Sequence, residues 1–177
     1  MSDTPAKSAA PSPFSLFGLP CAFRIDPERL EAAYQRAIVQ VHPDRFAGRS
    51  AAERRVAEQW SARINEAHAL LSDPVRRAGW LCEAAGVPLN AETDTRMPPD
   101  FLMAQIERRE ALEDASSLQA VDALLSQART DALALVDEIA KAADDDKDWH
   151  AAAAAARRLM FLERFIGEAE KARAAFL

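Results

Sequence analysis

The sequence predicts an all-α protein in which an antiparallel helical hairpin with flanking short helices is joined to a C-terminal three-helix bundle. Three observations carry this. Of 177 residues only five are Gly, and strong helix formers, Ala, Leu, Glu and Arg, are abundant. No useful stretch alternates apolar and polar residues at the two-residue period of a half-buried strand. Apolar residues instead recur at helical spacing between short breaks marked by Pro, Gly, Ser and Asp.

Residues 1–12 are small, polar and proline-containing, which predicts a disordered tail. Ser12 to Pro20 then supplies three large apolar side chains, Phe14, Leu16 and Phe17, enough for one helical turn before Gly18 and Pro20. Asp26-Pro27-Glu28 opens the next helix: an N-cap aspartate, proline at the first helical position and an acid in the first turn. Leu30, Tyr34, Ala37 and Val41 form its expected buried stripe. Arg29, Arg36 and Gln40 lie on another face, either a solvated surface or a small positive patch for an acidic partner. Pro43 has no N–H and drives residue 42 out of helical geometry, so this helix stops at His42.

The loop His42-Pro43-Asp44-Arg45-Phe46-Ala47-Gly48 presents an imidazole, a carboxylate and a guanidinium together. Ser50, with Glu53 three residues on, caps the following helix. Its predicted inward stripe is Val56, Trp60, Ile64, Ala67 and Leu71. The two helices share a short connection and form a hairpin with the His42 loop at its tip. Pro74 starts a short helix through Trp80 and Leu81 that ends at Gly86. Residues 87–97 show no apolar period and read as a linker, which gives domains of 13–86 and 98–177.

In the second domain Pro99-Asp100 opens a helix to about residue 115, Ser116 or Ser117 caps one to about 143, and the last runs from Trp149 to about 175. Asp144-Asp145-Asp146-Lys147 makes the turn, and the alanine run 151–156 marks a close helix–helix contact. The first of these helices has two apolar faces. At 100° per residue, Phe101, Ala104, Ala111, Leu112 and Ala115 face the bundle with Arg108 among them. Leu102, Met103 and Ile106 cluster opposite, in line with Glu110 and rimmed by Glu107, Arg109 and Glu113. An apolar patch with a charged rim suits a protein partner, although a helix between two neighbours would bury both sides. Phe161, at the edge of the last helix's core stripe (Leu159, Leu162, Ile166), could extend the patch.

Net charge is −6, unevenly spread. Residues 13–86 carry ten basic against nine acidic side chains, and residues 87–177 carry eleven against eighteen. An acidic second half argues against a nucleic-acid partner. No apolar run reaches the roughly 20 residues of a membrane span, and the first residues lack the apolar core of a secretory signal, so a cytoplasmic protein is expected. Cys21 and Cys82 are expected to be free thiols in a reducing compartment. Neither they nor His42, His68 and His150 stand at metal-ligand spacing, and no metal or cofactor is expected. With no phosphate loop and no nucleophile beside His42 and Asp44, no enzyme activity is expected.

Residues 13–86 resemble a J-domain: a short first helix, a second ending in His42-Pro43-Asp44, and a third carrying Ile64-Asn65-Glu66-Ala67 and Leu70-Leu71-Ser72-Asp73-Pro74. From about Phe14 to the end the chain is similar to the HscB family of iron–sulfur co-chaperones. The marks are Leu16-Phe17-Gly18-Leu19-Pro20, Asp73-Pro74-Val75-Arg76-Arg77-Ala78 with Trp80-Leu81, Phe101-Leu102-Met103 leading to Glu107-Arg108-Arg109-Glu110, and Arg157-Arg158-Leu159-Met160-Phe161-Leu162. The resemblance implies docking on an ATP-bound, HscA-like DnaK-type chaperone, with His42, Pro43 and Asp44 as the trigger of ATP hydrolysis and Arg29, Arg36 and Arg45 as charge contacts. It implies that an IscU-like scaffold protein is held through Leu102, Met103, Ile106, Glu107, Glu110 and Phe161. A general J-protein serving other clients is the competing reading, and a monomer or weak dimer is expected.

Overall fold

The computed structural model describes residues 11–89 and 97–177. The expected tail at 1–12, apart from Pro11 and Ser12, and most of the expected linker at 87–97 lie outside them. Seven α-helices are formed by the described residues: α1 (Pro13–Leu16), α2 (Pro27–Val41), α3 (Ala51–Ser72), α4 (Pro74–Ala84), α5 (Pro99–Glu113), α6 (Leu118–Ala140) and α7 (Trp149–Ala174). A 3-10 turn, Pro43–Phe46, lies between α2 and α3, and a π-helical turn, Lys141–Asp146, continues α6. The chain divides into two compact units between Asp73 and Pro74.

In the first unit α2 and α3 run antiparallel. Tyr34 donates from its hydroxyl to Asn65 Oδ1 at 2.9 Å, and His68 Nε2 donates to Glu31 Oε2 at 3.1 Å. The Tyr34 ring stacks on the His68 ring at 4.1 Å. These cross-links fix the hairpin's register. A hydrogen bond from Gln35 is the main cause that holds the Glu31 carboxyl below its ordinary value; desolvation opposes it, and the hydrogen bond and charge of His68 add smaller lowering effects. A pKa lower in the folded chain than in the unfolded one means that these contacts of Glu31, first the Gln35 hydrogen bond, stabilise at neutral pH and are lost as acid protonates Glu31. Phe14, Phe17 and Phe23 are buried with Leu30, Ala33, Ile64, Ala67 and Leu71. Ser12, expected in the tail, caps α1 by accepting from Ser15 N–H. Gly18 then ends α1 in the left-handed region (φ 63°), and Leu19 N–H reaches back to Phe14 C=O.

Part of the α3 stripe departs from expectation. Ile64, Ala67 and Leu71 are buried, but Val56 is 53% and Trp60 37% exposed, while Ala57 takes the inward position. A helical stripe is buried only where another element covers it: in the pairing set by Tyr34–Asn65 and Glu31–His68, Val56 lies beyond the last residue of α2, and Trp60 is level with the last turn of α2 but stays partly open, with the Arg63 guanidinium over its ring.

In the second unit α6 and α7 form the central antiparallel pair, and α5 packs against both. The helix α4 packs along α7 and falls in this second unit, which begins at Pro74, whereas the expected boundary stood at residue 86. Its apolar residues Ala78, Leu81 and Cys82 are buried, and α7 begins with Ala152, Ala153, Ala155 and Ala156, buried side chains small enough to let two helices approach closely. Arg157 Nη1 donates to Leu89 C=O at 3.0 Å in the same region. Phe165 is buried on α7, whereas Ile166, expected there, is half-buried.

Both cysteines are free, Cys21 exposed and Cys82 buried. Burial pushes the Cys82 thiol up, partly offset by Arg157. Iodoacetamide should therefore alkylate Cys21 in the native chain and Cys82 only after unfolding; equal labelling of both under native conditions would contradict the packing of α4.

The α6–α7 turn ends on Lys147, a non-glycine residue at φ 55°, with Asp148 N–H bonded to Ala142 C=O at 2.9 Å. A side chain in this region costs about 1 kcal/mol. Relief of that strain in Lys147→Gly is partly offset by glycine's greater freedom in the unfolded chain, so the variant should stabilise the second unit by no more than about 1 kcal/mol in chemical denaturation; a clearly destabilised variant would mean that the Lys147 side chain contributes more than its backbone costs.

Candidate functional site

The first candidate site is the turn at the hairpin tip. Asp26 caps α2 through Glu28 and Arg29 N–H, and α2 runs to Val41. His42 leaves helical geometry at ψ 133°, as expected before Pro43. Its Nδ1 accepts from Asp44 N–H at 3.3 Å, so the imidazole serves as N-cap of the 3-10 turn. In the neutral ring this leaves the proton on Nε2, as a donor. Asp44 Oδ2 lies 3.5 Å from the same Nδ1, and the Asp44 side chain is 90% exposed. His42 thus holds the turn in shape while the carboxylate projects into solvent.

Arg45 Nη1 donates to Val39 C=O at 3.2 Å, placing a guanidinium at the C-terminal end of α2. Cations are favoured there by the helix dipole, so the arginine is partly anchored. On the far side of the turn, Ser50 Oγ accepts from Glu53 N–H while Glu53 Oε2 accepts from Ser50 N–H, the expected capping box. Arg29 and Arg36 are both exposed, two turns apart on one flank of α2, and line a shallow groove with Phe17, Gly18, Leu19 and Ala32.

The second candidate site is on α5. Leu102 is 40%, Met103 56% and Ile106 51% exposed, all on the side away from α6 and α7. Toward the bundle, Phe101, Ala104, Arg108 and Leu112 are half-buried, and Arg108 pairs with Asp131 of α6. Ala111, expected in the bundle, is exposed. Gln105 is buried in the bundle-facing side and was missed, since periodicity assigns polar residues to solvent. Glu107 and Glu110 are exposed beside the apolar strip.

Phe161 is half-buried, with the Arg164 guanidinium 5.6 Å from its ring centroid. Arg109 of α5 pairs with Glu168 of α7 at 3.3 Å, and two turns back along each helix stand Leu102 and Phe161. In an up-down-up bundle α5 and α7 are parallel, so Phe161 lies at the level of Leu102. The exposed α5 strip and the α7 aromatic therefore border one surface of the second unit. No helix among the described residues is long and apolar enough to cross a membrane.

Residues 97–170 match the family described as the HSCB C-terminal oligomerisation domain. The chain is 47% identical over 164 residues to the Co-chaperone protein HscB homolog of Bordetella parapertussis, covering 90% of this chain and 95% of that one. It is 48% identical over 168 residues to the homolog of Bordetella petrii, covering 94% and 99%. Among solved structures, it is similar to the chaperone HscB from Vibrio cholerae, with TM-score 0.82, 31% identity and coverage of 94% and 99%. It is also similar to the human co-chaperone protein HscB, with TM-score 0.85, 26% identity and coverage of 95% and 83%.

Proposed function

The chain belongs to the HscB family of co-chaperones, and we propose that it works as an adaptor in iron–sulfur cluster transfer in the cytoplasm. In this reading the first unit docks on the ATP-bound form of an HscA-like DnaK-type chaperone and stimulates its ATP hydrolysis. His42, Pro43 and Asp44 are the trigger, and Arg29, Arg36 and Arg45 make charge contacts. The second unit holds an IscU-like cluster scaffold protein through Leu102, Met103, Ile106, Glu107, Glu110 and Phe161. No bond is made or broken by the chain itself. Its contribution is tethering: with both partners on one polypeptide, the second encounter becomes intramolecular, with effective concentrations reaching the millimolar range for short links.

The observation that carries this reading is the uncovered apolar strip on α5. A helix that buries one side in a bundle gains nothing in stability from Leu102, Met103 and Ile106 on the other, whereas a protein partner gains by covering them. The shaped turn at His42 on the other compact unit supports the second activity.

The test is the steady-state ATPase rate of the chaperone with the chain and scaffold added separately and together. The chain alone should stimulate, and the scaffold should raise the rate further only when the chain is present. A rate unaffected by scaffold at any concentration, with stimulation by the chain intact, would make the chain a general J-protein with a different client.

A further inference from the structure

The exposed aromatic on α3 has no role in the surfaces above. Trp60 is 37% and Val56 53% exposed, and the Arg63 guanidinium lies 5.3 Å from the Trp60 ring centroid. The two links Tyr34–Asn65 and Glu31–His68 define how α2 and α3 pair: each step along α2 matches a step back along α3. Continued toward the loop, this register sets Arg36 level with Arg63, and Gln40 level with the turn that carries Trp60. The same links mark one side of the hairpin. At 100° per residue, Arg29, Arg36 and Gln40 of α2 and Val56, Trp60 and Arg63 of α3 all fall on the other side. These six residues include three arginines and no carboxylate, and the nearby Glu53 carboxylate is held by the Ser50 cap and paired with Arg49.

From this juxtaposition we infer that Trp60, with Val56 and Arg63, extends the chaperone-docking surface from α2 onto α3. Its partner is the DnaK-type chaperone of the proposed function, and the inference rests on that reading. The surface expected opposite is acidic, with an apolar depression that receives the indole. Three arginines select against a basic surface, and the indole supplies the apolar anchor that the arginines of α2 lack. Trp and Arg are the side chains most often found carrying interface energy, and here the two already stack on each other, so little ordering remains on docking. The trigger and this anchor have different tasks. His42-Pro43-Asp44 acts on the hydrolysis rate of the bound chaperone, and Trp60 acts on how tightly it is bound.

The experiment titrates the full chain against the chaperone's ATPase and reads two quantities, the concentration for half-maximal stimulation and the plateau. Trp60→Gln should raise the half-maximal concentration about tenfold and leave the plateau near that of the unchanged chain. Trp60→Phe should recover most of the loss, and Arg63→Glu should reproduce it by reversing charge at an exposed position. His42→Gln, run alongside, should lose the plateau itself. If Trp60→Gln and Arg63→Glu both titrate like the unchanged chain while His42→Gln is inactive, the inference is wrong and the proposed function stands. If His42→Gln stimulates fully, the proposed function itself fails. Thermal melts of each variant exclude unfolding as the cause, and Trp60→Phe keeps the test decisive should Trp60→Gln melt early.

Discussion

His42→Gln should return the chaperone's ATPase to its basal rate while leaving both the fold and scaffold binding as they were. The imidazole caps the 3-10 turn through Nδ1, which fixes Asp44 N–H and the exposed Asp44 carboxylate relative to α2. Gln has no ring to brace that turn, and its flexible amide does not replace an imidazole donor of fixed direction. The side chain is 54% exposed, so its loss opens no cavity and costs the fold little. Steady-state hydrolysis at saturating chain measures the effect. Stimulation equal to that of the unchanged chain would remove the His42 turn from the mechanism. Asp44→Asn should lose stimulation in the same way, since it keeps the shape of the turn and removes the charge.

The combined variant Leu102→Ala/Met103→Ala/Ile106→Ala should weaken scaffold binding by at least about 100-fold. Covering one large apolar side chain completely contributes about 1.5–3 kcal/mol, and these three are roughly half exposed before binding. About 1 kcal/mol from each gives about 3 kcal/mol, equivalent to about two powers of ten in Kd. The fold should tolerate the change, because the bundle is held by Leu125, Ile139, Leu159, Leu162 and Phe165, none of which lies on that face of α5. The variant should stimulate the chaperone like the unchanged chain in the absence of scaffold. Loss of both activities together would point to misfolding and not to a lost contact.

Much of this was legible in the sequence because the signals were local. Asp26-Pro27 at the start of α2, Pro43 after its end, Ser50 with Glu53, and Ser117 before α6 each satisfy backbone groups within a few residues, and the helices begin where these residues stand. The two apolar faces of α5 were legible for a related reason, but spacing left open whether a second neighbour buries Leu102, Met103 and Ile106, and only the structure shows them exposed.

The parts that were not legible depend on what covers what. Nothing in the spacing of Val56 and Trp60 distinguishes them from Ile64 and Leu71, since coverage of that stripe depends on where other elements reach. The placement of α4 with α7 was likewise hidden. Its pattern, Ala78, Leu81 and Cys82, fits either neighbour, and nothing local marks the alanines at the start of α7 as the surface it packs against. Gln105 illustrates the same limit, a polar residue in a bundle-facing position that periodicity assigns to solvent.

Calorimetric titration of the full chain with the iron–sulfur cluster scaffold protein, beside the Leu102→Ala/Met103→Ala/Ile106→Ala variant, tests the adaptor account most directly. The account predicts saturable one-to-one binding to the unchanged chain and none measurable to the variant at the same concentrations. A well-folded variant that binds the scaffold as tightly as the unchanged chain would contradict it.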